Sequence, residues 1–116
     1  MTIYHHSWDY RRNAQFKDFQ SIEGIVATLV STVSCGENML MDVGPTQDGR
    51  IIPMFEERLR QLGSWLDVNG EAIYSSIPWS HQNDTLTDKV WYVSNISWCT
   101  YLEDNYIVFE NITASI

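Results

Sequence analysis

The spacing of apolar residues predicts a helix near the start of the chain. From Ile22 to Val33 apolar side chains recur at intervals of three and four residues, the stripe of a helix that packs on a sheet. Ser21 is suited to cap the first turn, and Gly36 lies just past the last one. We therefore predict a helix over residues 22–34.

The next segment, "NMLMDV" over residues 38–43, predicts a buried strand. It is almost entirely apolar, too short for a helix, and lies between Gly36 and Gly44. The "GPTQDG" loop follows, in which Asp48 and its neighbouring glycine favour a tight turn. A helix followed by a buried strand and a loop is typical of an α/β fold with a parallel sheet. In such a sheet the strand at residues 38–43 needs a neighbouring strand on each side.

A second helix is predicted over residues 53–68. Pro53 suits its first position, and Asn69-Gly70 is expected to end it. Glu71, just beyond that stop, is assigned a structural role. The expected inner face consists of Phe55, Leu59, Leu62, Trp65 and Leu66.

After Trp79 the pattern changes to short β-branched and aromatic runs, "KVWYVS" and "NYIVF", separated by polar residues. Such runs predict antiparallel strands. We therefore divide the chain into residues 1–79, an α/β unit, and residues 80–116, a partial β-type domain.

Length and charge narrow the classes of function. The chain has 116 residues and a formal net charge of -8. Nucleic-acid binding usually needs a concentrated basic surface, and Arg11-Arg12, a lone pair, is interpreted as ordinary and solvated. The sequence predicts no nucleic-acid partner, no membrane-spanning segment and no signal peptide at its first residues.

The cysteines and histidines indicate no metal or cofactor. Cys35 and Cys99 form no disulfide framework, and we interpret them as buried or half-buried thiols without a function. His5 and His6 are adjacent, so their side chains point to opposite sides of an extended chain. We predict no cofactor and no metal site.

Three N-x-S/T sequons begin at Asn83, Asn95 and Asn111. This tripeptide is the acceptor for N-glycosylation, which takes place in the secretory pathway. The three asparagines are candidate glycosylation sites, and together they favour a lysosomal or secreted location.

Several longer motifs identify a family. The segments "SWDYRR", "VSCGENMLMDVGPTQDGRIIP", "ERLRQLGSWLDVNGEAIYSSIPW" and "KVWYV" closely resemble the C-terminal part of the catalytic domain of α-L-fucosidases of glycoside hydrolase family 29. The resemblance fades past Val93. It implies the C-terminal fragment of a (β/α)8-like barrel followed by the start of an antiparallel β-sandwich, and a parent enzyme that removes terminal α-L-fucose from glycoconjugates.

The resemblance also assigns parts of the barrel. Residues 22–34 correspond to its seventh helix, residues 38–43 to its eighth strand and residues 53–68 to its eighth helix. Barrel active sites lie at the carboxyl ends of the strands, so the "GPTQDG" loop is expected on that face. The family's nucleophilic aspartate and acid/base glutamate lie upstream of Met1, so we predict no catalytic residue in this chain and no activity of the chain alone.

Two residues match positions near the family's sugar pocket. Trp8 corresponds to an aromatic residue that lines the fucose pocket, and the alternative is a plain core tryptophan. Its neighbour Asp9 departs from the family glycine. Asp42 replaces a family asparagine at the strand end, either as a supporting hydrogen-bonding group beside the sugar or as a side chain tied to loop backbone. Glu37 replaces a second family glycine, which matters only if a positive φ is required there.

A different class of protein also fits part of the sequence. A small secreted carbohydrate-binding or structural module could stack sugars on Trp79, Trp91 and Trp98. The helices and buried strand predicted before Pro78 argue against a purely β-type lectin. The oligomeric state does not follow from the sequence.

Overall fold

The computed structural model describes residues 1–5, 7–86, 90–95, 98–103 and 106–110. Two α-helices precede an antiparallel sheet, as the change of pattern along the sequence predicts. The elements in chain order are a 3-10 turn at Phe16–Asp18, helix α1 at Ile22–Ser34, helix α2 at Pro53–Ile73, and strands β1 at Ile77–Asn83, β2 at Trp91–Asn95, β3 at Trp98–Glu103 and β4 at Tyr106–Glu110.

Helix α1 begins and ends where its capping residues predict. The Ser21 hydroxyl oxygen accepts a hydrogen bond from a backbone N–H of the first turn, at 3.2 Å. At the other end Gly36 has a φ of 74°. Its N–H donates to the Val33 carbonyl, and the Glu37 N–H donates to the Thr32 carbonyl, both at 3.0 Å. These two bonds form a Schellman motif, in which glycine takes the left-handed position at no steric cost.

Helix α2 is longer than predicted. It starts at Pro53 but runs to Ile73, so the predicted stop at Gly70 is wrong and Glu71 lies inside the last turn. A glycine inside a helix costs about 1 kcal/mol. Here Gly70 is buried, and the Tyr74 ring covers it so closely that an added Cβ would lie 2.6 Å from the ring. Packing of this last turn offsets the intrinsic cost of the glycine.

The predicted strand at residues 38–43 is only partly realised. No regular strand forms there, and a single parallel bridge joins Asp42 to Thr2. The Asp42 N–H donates to the Met1 carbonyl at 3.0 Å, and the Met1 nitrogen donates to the Leu40 carbonyl at 2.8 Å. A parallel strand is stabilised by neighbours on both sides. Among the described residues this segment pairs only with residues 1–4, which explains the isolated bridge.

The sheet has the order β1-β2-β3-β4, with every pairing antiparallel. Pro78 pairs with Val93 in the first hairpin, and helix α1 packs on β1 and β2. All side chains of β1 are exposed, so its polar sequence "SHQN" gave no hint of a strand. The strand crosses residue 80, where the sequence pattern changes; the division into residues 1–79 and 80–116 stays a prediction.

The described residues form two core clusters, and α1 contributes to both. In the first, the Phe19 ring lies 5.5 Å from the ring of Tyr4 and 5.4 Å from that of Phe55, centroid to centroid. Edge-to-face and tilted aromatic pairs at this distance are favourable. Ile25 of α1 belongs to this cluster. The neighbouring Val26 belongs to the second cluster, which packs against both α2 and the sheet.

Two expectations about burial are wrong. Leu59, predicted for the inner face of α2, is exposed. Cys35, interpreted as a buried or half-buried thiol, is also exposed, because it occupies the C-cap of α1 beyond the last buried turn. The side chain of Cys99 lies outside the described residues.

Candidate functional site

Two backbone segments run side by side and lead into the candidate site. Residues 1–4 and 40–42 are parallel, as the bridge between Thr2 and Asp42 demonstrates. Parallel segments present their carboxyl ends at one edge, which is where ligands bind in α/β proteins. The segments that leave this edge carry Trp8 on one side and the loop that begins at Gly44 on the other.

Gly44 holds these two segments in direct contact. A Cβ built on Gly44 would lie 2.9 Å from the Trp8 carbonyl oxygen and 2.9 Å from the Asp9 carbonyl carbon, and closer still to the Tyr10 nitrogen. These neighbours are backbone atoms, so they cannot turn aside as a flexible side chain could. The absence of a side chain at Gly44 therefore lets the backbone of residues 8–10 lie directly on the end of residues 38–43.

Trp8 is 58% exposed, although the backbone of residues 8–10 is in contact with Gly44. The Asp9 N–H donates to the Ser7 hydroxyl oxygen at 3.1 Å, which orders the turn before the tryptophan ring. In this structure Trp8 is not part of either core cluster. An exposed indole on an ordered loop offers an apolar face that a sugar ring can stack on.

Asp42 lies at the edge where the two segments meet. Its backbone is paired with Met1, but its half-buried carboxylate makes no hydrogen bond or ion pair with any part of the chain that the structure describes. Among the described residues no hydrogen bond ties this side chain to loop backbone, and its role stays a prediction. A carboxylate accepts hydrogen bonds only, so it is chemically suited to receive a hydroxyl or an N–H.

The "GPTQDG" loop is held by hydrogen bonds among Thr46, Asp48 and Arg50. The Thr46 hydroxyl donates to an Asp48 carboxylate oxygen at 2.7 Å, and the Arg50 N–H donates to the Thr46 hydroxyl oxygen at 3.0 Å. Arg50 also forms an ion pair with Asp48 at 2.9 Å, and Gly49 has a φ of 78°. The prediction that Asp48 shapes a turn is confirmed.

The two substitutions of family glycines cause no backbone strain. Among the described residues positive φ values occur only at Gly36, Gly49 and Ser75. Asp9 and Glu37 therefore have ordinary backbone conformations. The loop positions they occupy do not require glycine in this chain.

Of the sequon asparagines, Asn83 is exposed at the end of β1. Asn95 is the last residue of β2, where it pairs with Trp98 across the hairpin. Asn111 lies outside the described residues. His6 also lies outside the described residues. Within residues 1–5, 7–86 and the described strands, no three or more metal-ligating side chains converge on one point. No helix among those residues has the length and hydropathy of a membrane span.

Sequence reasoning missed what brings the site together. It did not identify residues 1–4 as the neighbour of the buried segment, because "MTIY" is too short to carry a periodic pattern. It also treated Gly44 only as the residue that ends the predicted strand. The signal that could have found it is a glycine directly after a buried strand, which often marks a close approach of another backbone.

The arrangement defines a class: helices joined to parallel backbone segments, with a candidate site at the carboxyl ends of those segments, as in α/β proteins. Comparison with known proteins gives the family. The profile of the α-L-fucosidase family matches residues 1–71, more than half of the chain. The chain therefore belongs to the α-L-fucosidase family.

Individual relatives agree with this assignment. The plasma α-L-fucosidase of Homo sapiens is 61% identical over 94 residues, which are 81% of this chain and 20% of that protein. The tissue α-L-fucosidase of Homo sapiens is 50% identical over 88 residues, 76% of this chain and 19% of that protein. The chain thus spans about a fifth of the length of the curated relatives it matches.

A solved structure extends the likeness beyond the motifs. The α-fucosidase of Thermotoga maritima in complex with fucose matches with a TM-score of 0.80 and 32% identity, over 99% of this chain and 28% of that one. The match covers nearly all of the chain, so it includes strands β3 and β4, where the sequence resemblance fades.

Proposed function

We propose that this chain is the C-terminal part of the catalytic domain of a retaining α-L-fucosidase that hydrolyses terminal α-L-fucose on glycoproteins, glycolipids or oligosaccharides. The observation that carries the proposal is the contact at Gly44, which joins the Trp8 loop to the carboxyl end of the Asp42 segment. The solved relative that contains fucose supports the choice of sugar. The proposed partner is a fucosylated glycoconjugate.

In this proposal α1 is the seventh helix of a (β/α)8-like barrel, residues 38–43 are the eighth strand and α2 is the eighth helix. The antiparallel strands that follow begin a β-sandwich. The order of the elements supports this assignment, since α1, a parallel-paired segment and α2 alternate as barrel elements do.

Trp8 is proposed to bind the substrate. Fucose is a deoxy sugar with a methyl group and an apolar C–H face, and the exposed indole is suited to pack against them. Asp42 would support the site by accepting a hydrogen bond from a sugar hydroxyl or from a neighbouring side chain. Neither residue is proposed to form or break a bond with the anomeric carbon.

Retaining hydrolysis needs two further carboxyl groups. One attacks the anomeric carbon to form a glycosyl-enzyme, while the other protonates the leaving oxygen and then activates the water that releases the sugar. We assign both roles to residues outside this chain. The chain alone is therefore expected to have no activity, whereas the longer protein that carries it should be active.

The test measures fucose release from an aryl α-L-fucoside by the longer protein and by its Trp8→Ala variant. Loss of stacking should lower kcat/KM about tenfold, since a favourable ring contact is worth about 1 kcal/mol or slightly more. The thermal midpoint should not change, because Trp8 is exposed. Equal activity of both proteins would refute the substrate role, and turnover by the 116-residue chain alone would refute the assignment of the carboxylates.

A non-catalytic secreted carbohydrate-binding module is the second candidate. The exposure of Trp79 on β1, in addition to Trp8, is the observation in its favour. In that case the longer protein would bind fucosylated glycans but release no fucose. Substitution of Trp79 rather than Trp8 would then weaken binding.

We further propose a lysosomal or secreted location, with N-glycans on Asn83, Asn95 and Asn111. The exposed side chain of Asn83 supports the first of these sites. Expression in a eukaryotic secretory host followed by enzymatic removal of N-glycans tests the proposal. The Asn83→Gln variant should show a shift in apparent mass that is smaller than that of wild type by one glycan, and an unchanged shift would refute glycosylation at that site.

A further inference from the structure

A cleft lies between residues 10–19 and the start of α2. Its volume is about 350 Å³. Tyr10 lines it, and the backbone of the same residue lies against Gly44, so the cleft begins two residues beyond Trp8. It is therefore placed to receive the part of a substrate that extends away from a sugar stacked on that tryptophan.

Two arginines give this cleft its charge. Arg11 and Arg12 both line it, and neither side chain makes a hydrogen bond or ion pair with any described residue. The other three arginines of the chain already have partners within it. Arg50 pairs with Asp48 at 2.9 Å, Arg58 donates to the Gln20 carbonyl at 2.8 Å, and Arg60 pairs with Glu56 at 2.7 Å.

The remaining walls are aromatic and aliphatic. Phe16 is 70% exposed, and its ring is fixed in part by the Arg58 guanidinium, 5.7 Å from its centroid. Ile52 and Met54 line the opposite side. Apolar walls accept the C–H face of a sugar, while a guanidinium pairs with sulfate or carboxylate through two parallel hydrogen bonds.

We propose that this arginine cleft, defined by Tyr10, Arg11, Arg12, Phe16, Ile52 and Met54, binds an anionic substituent on the glycan beyond the fucose residue. The inference rests on the proposed function, because it places the glycan relative to Trp8. The two guanidinium groups give the cleft a local positive charge in a chain whose net charge is -8. The substituent is a sulfate or a sugar carboxylate.

The experiment is a binding titration of the longer protein that carries this chain. The probes are 3′-sulfated lactose, 3′-sialylated lactose and neutral lactose, at low ionic strength. None contains fucose, so binding is measured independently of fucosidase activity. The two anionic probes distinguish sulfate from carboxylate.

We expect at least one anionic probe to bind on the order of fivefold more tightly than lactose, as a pair of partly exposed charge contacts allows. The Arg11→Gln/Arg12→Gln variant should lose this preference. Arg50→Gln/Arg60→Gln removes the same charge outside the cleft and should keep it. In the wild-type protein the preference should also fall as salt rises from about 50 to 500 mM, because screening weakens exposed charge pairs.

Equal affinity for anionic and neutral probes would overturn the proposal, as would equal losses in the two double variants. If the Arg11→Gln/Arg12→Gln variant does not fold, the single variants Arg11→Gln and Arg12→Gln are titrated instead, and an unchanged anionic preference in both would overturn the proposal. Absence of fucose release together with retained anionic preference would refute the proposed function but leave the anion site in place.

Discussion

At the scale of single residues, Gly44 is where the candidate site depends most directly on backbone packing. A methyl group there would lie within 3 Å of the Trp8 and Asp9 backbone. We expect Gly44→Ala to destabilise the protein by about 1–3 kcal/mol, the usual range for overpacking. It should also displace the Trp8 loop, so in the longer protein fucose release should fall more than the loss of stability explains. Chemical denaturation and steady-state kinetics measure the two effects.

Gly63→Ala is the matched control. It adds the same methyl group inside α2, where nothing lies within 4 Å of the added Cβ. Alanine is the better helix former, so this variant should gain about 0.5–1 kcal/mol in free energy of unfolding. A Gly44→Ala protein as stable and active as wild type would mean that the two segments are not in contact.

At the scale of elements, the end of α1 depends on Gly36. This residue combines a φ of 74° with a close neighbour, since an added Cβ would lie 2.6 Å from a ring carbon of Pro78. Gly36→Ala should therefore destabilise the protein by about 1–2 kcal/mol, from left-handed strain plus displacement of β1. Thermal unfolding measures the loss. The control is Gly49→Ala, where φ is 78° but the space is open, so only the strain remains.

The start of α1 should respond to acid. Hydrogen bonds from its own backbone N–H and from the Ser21 side chain hold the pKa of Glu23 below its ordinary value. Desolvation opposes this shift, and the charge of Arg58 adds to it. A lowered pKa in the folded state means that the ionised group stabilises the fold above the ordinary glutamate range. That contribution is lost as the pH falls through the folded-state pKa.

We therefore expect the thermal midpoint of the Glu23→Gln variant to depend less on pH than that of wild type below pH about 5. Melting curves at a series of pH values give the comparison. Parallel curves for wild type and Glu23→Gln would contradict the assigned interaction.

At the scale of the whole molecule, the isolated chain exposes surfaces that proteins normally cover. Leu40 is 72% exposed on a segment that pairs along one edge among the described residues, and Leu59 of α2 is exposed as well. Unpaired backbone edges with exposed apolar side chains favour aggregation. The purified chain should be poorly soluble or bind a hydrophobic dye strongly. A sharp, concentration-independent melt of a soluble monomer would contradict this expectation.

The sequence by itself determined the position of α1, the start of α2 and the family. The apolar period and the caps Ser21 and Gly36 place α1, Pro53 starts α2, and long motifs identify the α-L-fucosidases. These features are local, because hydrogen bonds within a few residues or contiguous motifs carry them. The same local reasoning ended α2 at Gly70, where packing under Tyr74 prevails over propensity.

Tertiary structure alone decided how distant residues meet. Residues 1–4 pair with residues 40–42, the Trp8 backbone lies on Gly44, and Arg11 and Arg12 border a cleft with the start of α2. No periodic pattern in the sequence predicts these contacts, because each contact joins segments that are far apart along the chain. The exposure of Trp8 was likewise decided by tertiary structure, because the pattern of the sequence does not show whether a lone tryptophan joins a core cluster.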